Sequence, residues 1–221
     1  MGVREILLAT ANSAKAREMR EILALADASG ASSIRWRMLS EFPEMPVPVE
    51  TGDTFIANAE LKAHHYAGLT GLWTIADDSG LEVDALGGEP GVRSARYAGE
   101  PCHDLANNTL LVQRLAGVPA ERRTARFRCA VVLSDGRSVL ASAEGAIEGR
   151  IIDQAVGTNG FGYDPHFWVE AAGETTAQMS PEQKHAISHR GQALRLLRAK
   201  IFPLLEQNLA TPAAAREQPG L

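Results

Sequence analysis

The sequence predicts a fold of the α/β or α+β class built on a mixed sheet. Three observations carry that prediction. The chain opens strand–loop–helix, a long hairpin lies in its middle, and strands and helices mix without the strict alternation of an all-parallel fold.

The elements follow in order. Residues 5–9 (EILLA) are a short apolar run, the mark of a buried strand. Thr10-Ala11-Asn12-Ser13 is turn chemistry. From Ala14, apolar residues recur at Ala16, Met19, Ile22, Leu23 and Ala26, which is helical spacing, and Gly30 follows as a stop signal. Ile34, Trp36 and Met38 alternate with Arg35 and Arg37, a half-buried strand. The proline-rich stretch 40–50 is a loop. Residues 53–67 read as a helix with Phe55, Ala59, Ala63 and Tyr66 on one face, ended by Gly68 and Gly71. Trp73-Thr74-Ile75-Ala76 is a short strand running into a turn at Asp77-Asp78-Ser79-Gly80. The glycine-rich stretch 87–99 holds no long regular element, and Asp104 to Ala116 is a helix.

The hairpin is the clearest signal. Ala125, Phe127, Cys129, Val131 and Leu133 alternate with other residues, Ser134-Asp135-Gly136 turns the chain, and a strand returns from Val139. Residues 157–165 (GTNGFGYDP) are a second glycine-rich loop. Ser180-Pro181-Glu182-Gln183 is a helix start: a Ser cap, Pro at the first position, Gln at the third. Leu194, Leu197, Ile201 and Leu204 stripe the last helix, and residues 209–221 read as a flexible tail. No repeat and no linker interrupts the chain, so residues 1–208 are expected to form one domain.

Composition narrows the function. The 221 residues are 45% hydrophobic and 22% charged, a globular mixture. A net charge of −5 gives no broad basic surface for duplex DNA or an anionic membrane, and aromatics at 5% argue against a base-stacking platform. Cys102 and Cys129 make neither a disulfide framework nor a zinc site. No apolar run approaches the ~20 residues of a membrane span. The expectation is a cytoplasmic protein with reduced thiols.

Four stretches can carry chemistry. In Thr10 to Lys15 (TANSAK) a strand ends and a helix begins with a lysine in its first turn. Helix N–H groups, the helix dipole and a full charge suit a phosphate there. The same pattern also describes an ordinary capped helix, and the glycines of a P-loop are absent. At Asp77-Asp78 two adjacent carboxylates follow an apolar strand. Packing does not explain them, whereas a divalent cation such as Mg²⁺, sharing its shell with phosphates and waters, would. In Gly157 to Asp164, glycines admit a ligand closely, and Phe161 and Tyr163 offer flat faces for a base. Lys184 with Ser188-His189-Arg190 gathers donors for an anion or a base edge. Each stretch alone has a purely structural reading. Together they describe a nucleoside polyphosphate site.

The stretches LLATANSAKAREM, TFIANAELKA, IADDSGLEVDALGGEPGVRSARYAG, GTNGFGYDPHF and KHAISHRGQAL, in that order, resemble the non-canonical purine nucleoside triphosphate pyrophosphatases, also called inosine triphosphate pyrophosphatases. The resemblance spans residues 4 to about 206. It implies an α/β fold with an elongated mixed central sheet flanked by helices, and two lobes with an active-site cleft between them. It also implies a homodimer, Mg²⁺ as cofactor, and hydrolysis of ITP, dITP or XTP to the monophosphate and pyrophosphate. Carried over by position, Thr10, Ala11, Asn12, Ser13, Ala14 and Lys15 grip the triphosphate. Asp78 matches the metal ligand and proton acceptor, with Asp77 beside it. Ser79 matches a substrate contact. Phe161, Gly162, Tyr163 and Asp164 match the base-side loop, and Lys184, His189 and Arg190 the base- and phosphate-recognition residues. Many relatives carry two acids before Thr51-Gly52. This chain has Val49-Glu50, so Glu50 or a water would take the place of the first acid, and Glu50 is the second candidate metal ligand.

On this reading a donor such as Lys184 or Arg190 favours the 6-oxo group of hypoxanthine and xanthine over the 6-amino group of adenine. Two other functions fit the residues less well: a pyrophosphatase for modified pyrimidine nucleotides, and a nucleotide sensor without hydrolysis. The purine-type loops oppose the first and the paired aspartates the second.

Overall fold

The computed structural model describes residues 4–27 and 34–210. Among them runs one seven-stranded sheet in the order β2-β1-β3-β4-β5-β6-β7. Strand β1 (Arg4–Leu8) lies parallel to β2 (Ile34–Met38) and to β3 (Trp73–Val83). Parallel neighbours need crossovers, and the helices α1 (Ser13–Asp27) and α2 (Phe55–Thr70) supply them. The rest of the sheet is antiparallel: β4 (Thr124–Ser134), β5 (Val139–Ile151), β6 (Phe167–Val169) and β7 (Glu174–Thr175). The mixed α/β sheet read from the sequence is therefore present.

Local chemistry places the boundaries. Thr54 caps α2 by accepting from the Ala57 N–H at 3.3 Å, and Gly71 closes it in the left-handed region at φ 68°. In the β4–β5 turn, Asp135 accepts from the backbone N–H groups of Arg137 and Ser138, both at 2.8 Å. Gly136 takes φ 88° there. Ser180 and Gln183 cap each other at the start of α4 (Pro181–Ile187).

Strand periodicity sorts the side chains into three cores. On one face, Ile6, Leu8, Trp73, Ile75, Val131 and Leu133 pack under α1 and under α5 (His189–Ala210). On the opposite face, Leu7, Ala9, Ala76, Ala130 and Val132 pack under α2. Farther along the first face, Leu81, Val83, Phe127, Ile147 and Phe167 pack with Leu111 and Leu115, which flank the end of α3 (Asp104–Arg114). Each fully buried aliphatic or aromatic side chain of these cores contributes roughly 1.5–3 kcal/mol. Strand β4 is apolar on its first face from Ala125 to Leu133 and serves two cores without a break. Strand β3 also serves both, but Asp77 and Ser79 interrupt it.

The structure corrects two expectations and adds detail to others. Asp77-Asp78-Ser79-Gly80 is not a turn. The ladder to β4 continues from Thr74↔Ser134 to Val83↔Ala125, and this pairing outweighs the turn-like composition. The helix that starts at Ser180-Pro181 and the last helix are separate, with a break at Ser188, whose ψ of 155° is extended. The short strands β6 and β7 carry too few residues for a periodic signal. Helix α5 reaches Ala210, inside the expected tail; residues 211–221, like the Gly30 stop signal, lie outside the described residues.

Candidate active site

The site exists because β3 outruns its neighbour. Strand β1 pairs with β3 only from Trp73 to Ile75. Beyond that point a cleft of ≈ 250 Å³ lies among residues 9–15, the 47–50 loop, α2, the 92–96 segment and the Phe161–Asp164 loop. Residues along a strand alternate faces, so Asp77 and Asp78 point to opposite sides of the sheet. The two adjacent carboxylates therefore meet different partners. They belong to two separate clusters, and both line the cleft.

Asp77 lies on the face shared with α1 and α5. Lys15 sits 3.3 Å from its Oδ2, and Arg190 Nη2 is also at 3.3 Å. Burial favours the neutral acid, but Lys15, Arg190 and Lys62 outweigh it and hold the carboxyl far below the usual range. Asp77 is thus an ionised anchor for two cations. From Arg190 the cluster continues to Glu18, to which its Nη1 donates. Lys184 donates to Glu18 at 2.8 Å and to Asp164 at 2.6 Å. Arg190 also donates to the Ser79 hydroxyl at 2.8 Å. Three acids and three bases alternate in one chain, buried except at its Lys15 end: Asp164, Lys184, Glu18, Arg190, Asp77, Lys15.

Asp78 faces α2. Lys62 donates to its Oδ1 at 3.1 Å, and the Asn58 amide to its Oδ2 at 3.2 Å. Lys62 also donates to Glu50 at 2.9 Å, and Arg96 reaches Glu50 at 3.4 Å. Burial is the largest influence on Asp78 and raises its pKa, with Lys62 and Lys15 pulling the other way. The two neighbours therefore differ in chemistry: Asp77 is the weaker proton acceptor and Asp78 the stronger.

The other sequence candidates divide in the same way. Asn12 Oδ1 accepts from the N–H groups of Ala14 (2.9 Å) and Lys15 (3.1 Å), so Asn12 is the cap of α1. The helix start thus offers a ligand the Lys15 ammonium rather than a full set of free donors. Thr10, Ala11, Asn12 and Lys15 line the cleft, while Ser13 and Ala14 begin the helix behind them. Phe161 is half exposed, with the Lys184 ammonium 5.0 Å and the Arg190 guanidinium 5.7 Å from its ring centre. Tyr163 is not an open stacking face. Its ring is buried in the third core and its hydroxyl donates to Ser94 O at 2.7 Å. Gly162 binds Asp104 through its N–H and Asn108 through its carbonyl. Asp164 ties the loop, accepting from the Phe161 N–H at 2.9 Å and from Thr176 at 2.8 Å. His189 stacks on Phe127, 5.0 Å between ring centres, and burial keeps it neutral well below the ordinary imidazole pKa.

Sequence reasoning did not single out Glu18, Asn58, Lys62 or Arg96. Two spacings pointed to some of them: Lys15 and Glu18 stand three apart on α1, Asn58 and Lys62 four apart on α2.

Glu50 and Asp78 are the expected Mg²⁺ ligands, and together they offer a donor set of two carboxylates. Glu50 and Asp78 each direct an oxygen at one positive charge, Lys62 Nζ. Among the described residues no cluster of three His, Cys, Asp or Glu side chains forms. Two carboxylates suit an ion that completes its shell with phosphates and waters.

The chain is similar to known proteins in both sequence and fold. A sequence profile of the Ham1 family matches residues 6–200. A dITP/XTP pyrophosphatase of Exiguobacterium sibiricum is 45% identical over 201 residues, 91% of this chain and 98% of that protein. One from Corynebacterium efficiens is 45% identical over 211 residues, 92% of this chain and 100% of the other. The Staphylococcus aureus Ham1 protein superposes with a TM-score of 0.77 at 39% identity, covering 93% of this chain and 100% of that one. A HAM1 protein from Coxiella burnetii gives 0.78 at 39% identity, covering 90% and 99%.

Proposed function

We propose the reaction from one premise: the chain belongs to the Ham1 family. It is a nucleoside triphosphate pyrophosphatase. It hydrolyses deaminated purine nucleotides such as dITP, ITP and XTP to the monophosphate and pyrophosphate. The relatives' names support the purine substrates over modified pyrimidines, and they support hydrolysis over sensing.

The observation that carries the mechanism is the separation of the two aspartates. Asp78 opens on the cleft from the α2 side, where it is placed to accept the proton of the attacking water. Asp77 holds Lys15 at the mouth of α1, where the ammonium meets the phosphates. Mg²⁺ bound to Asp78 and Glu50 would supply charge neutralisation for the phosphate oxygens. Phe161 stacks on the base, and Lys184, fixed by Glu18 and Asp164, keeps a donor for its 6-oxo edge. Arg190 is 1% exposed and already donates to Asp77, Glu18 and Ser79, so it shapes the pocket floor more than it reads the base. From the resemblance come a homodimer and a cytoplasmic location. The net charge of −5 supports a protein without nucleic-acid or membrane partners, and among the described residues no helix is long and apolar enough to cross a membrane.

Pyrophosphate release from dITP, XTP, ATP and dUTP tests the assignment. The first two substrates should dominate, and Asp78→Asn should lower kcat by ~10²-fold or more. A variant with near-wild-type turnover would remove Asp78 from the mechanism.

A further inference from the structure

The Lys62 ammonium stands where two carboxylates meet. It is 2.9 Å from Glu50 Oε1 and 3.1 Å from Asp78 Oδ1. Its side chain is only 13% exposed. Lys15 also faces the cleft, from α1, but its carboxylate partner is Asp77. What that position needs is a positive charge. Two carboxylates gathered beside a buried strand repel each other, and the half-buried pair is costly to keep ionised without a counter-ion. Helix α2 delivers one from its own interior: Asn58 holds the second oxygen of Asp78, and Lys62, one turn later, bridges the first to Glu50. Arg96 on the far oxygen of Glu50 brings the group to two acids and two bases.

We propose that Lys62 is an internal counter-cation that competes with the divalent ion for Glu50 and Asp78. It holds the acid pair in place before substrate arrives, and it weakens metal binding to the enzyme without nucleotide. The side chain has a flexible four-carbon stem, so its ammonium can leave the acids without moving α2. It would then lie beside the phosphates that accompany the ion. In this way the protein favours the metal–nucleotide complex over the free metal. The inference rests on the reading of Glu50 and Asp78 as metal ligands.

Mn²⁺ binding without nucleotide, followed by electron paramagnetic resonance, tests both layers separately. Lys62→Met keeps the apolar stem and removes the charge. It should bind Mn²⁺ more tightly than wild type, by about tenfold or more for a unit charge lost at contact distance. Glu50→Gln and Asp78→Asn should bind it more weakly. If those two variants weaken binding while Lys62→Met leaves it unchanged or weaker, Lys62 does not compete and the proposal falls, though the ligand assignment stands. If all three bind as wild type does, the ligand assignment fails and takes the proposal with it. A second measurement needs no variant. In wild-type protein the Lys62 side-chain ¹⁵N resonance should move toward that of solvent-exposed lysines as Mg²⁺ is added. A resonance that does not move at saturating Mg²⁺ also overturns the proposal.

Discussion

Glu18 sits at the centre of the alternating charge chain, and replacing it with glutamine is the sharpest probe of that chain. The substitution keeps the shape and deletes one charge. In the wild type three acids face three bases; in Glu18→Gln two acids face three bases, buried except at the Lys15 end. Removing one partner of a buried ion pair costs about 3–5 kcal/mol, because the remaining charges stay desolvated. Glutamine can still accept one hydrogen bond, which puts the loss near ~3 kcal/mol. For a chain of this length each kcal/mol lowers Tm by about 2–4 °C, so a fall of about 6–12 °C is expected.

Two further readouts make the reasoning refutable. Burial works against the charged form of Glu18, but Arg190 and Lys184 outweigh it and hold its pKa below the ordinary value. A carboxyl depressed in the folded state contributes its full stability above its unfolded pKa of about 4.3. That contribution is lost as pH falls through the lower folded value. The Tm gap between wild type and Glu18→Gln should therefore be constant near neutrality and narrow below pH ~4. Glu18→Gln combined with Lys184→Met restores charge balance, so the pair should cost at least ~1 kcal/mol less than the sum of the singles. A Tm change under 2 °C, or strict additivity, would show that the buried charges do not act as one unit.

Other consequences are more local. Lys15→Ala should lower kcat/KM about tenfold or more for ITP and ATP alike, since it loses a charge-assisted phosphate contact. Lys184→Ala should instead reduce the ITP-to-ATP preference by about 5- to 150-fold, because only the 6-oxo base uses that donor; equal losses would make it a simple electrostatic clamp. Cys129 is 1% exposed, with its thiol pushed up to about 12 by burial, so iodoacetamide at pH 8 should label exposed Cys102 in the folded protein and Cys129 only after unfolding. Gly80→Ala should cost about 1–3 kcal/mol in chemical denaturation, because a Cβ there meets Ser94 Oγ at 2.4 Å and Gly91 O at 2.5 Å.

The legible parts of the sequence were those decided locally. The Ser180 capping box, the Asp135-Gly136 turn and the alternation from Ala125 to Leu133 need only neighbouring residues, and the structure shows all three. The cleft-lining stretches were legible too, as ordered motifs. What escaped was decided by distant partners. Asp77 to Gly80 has turn-like residues, yet a ladder to a strand about fifty residues away draws it straight. Tyr163 reads as a stacking ring until its contact with Ser94, 69 residues away, buries it. Glu18 looks like one more surface acid on an amphipathic helix. Its partners Lys184 and Arg190 lie 166 and 172 residues farther on, beyond the reach of any local pattern.

The two-residue period of β3 explains why one dipeptide can do two jobs. A pair of carboxylates on the same face would perturb each other, and neither could be tuned alone. On opposite faces of one strand each acquires its own surroundings. Asp77 is pinned by Lys15 and Arg190 and stays ionised; Asp78, among Asn58 and Lys62, is the more basic of the two. The strand's interruption between two apolar cores gives both carboxylates the same cleft despite their opposite directions. Charge balance then constrains what the cleft accepts. Each cluster is neutral by itself, so a bare triphosphate would enter as uncompensated negative charge in a partly desolvated space. A triphosphate that carries its own divalent ion brings two fewer uncompensated charges. The balance of Asp78, Glu50, Lys62 and Arg96 thus supports the proposal that the cleft takes a metal–nucleotide complex in preference to a bare triphosphate.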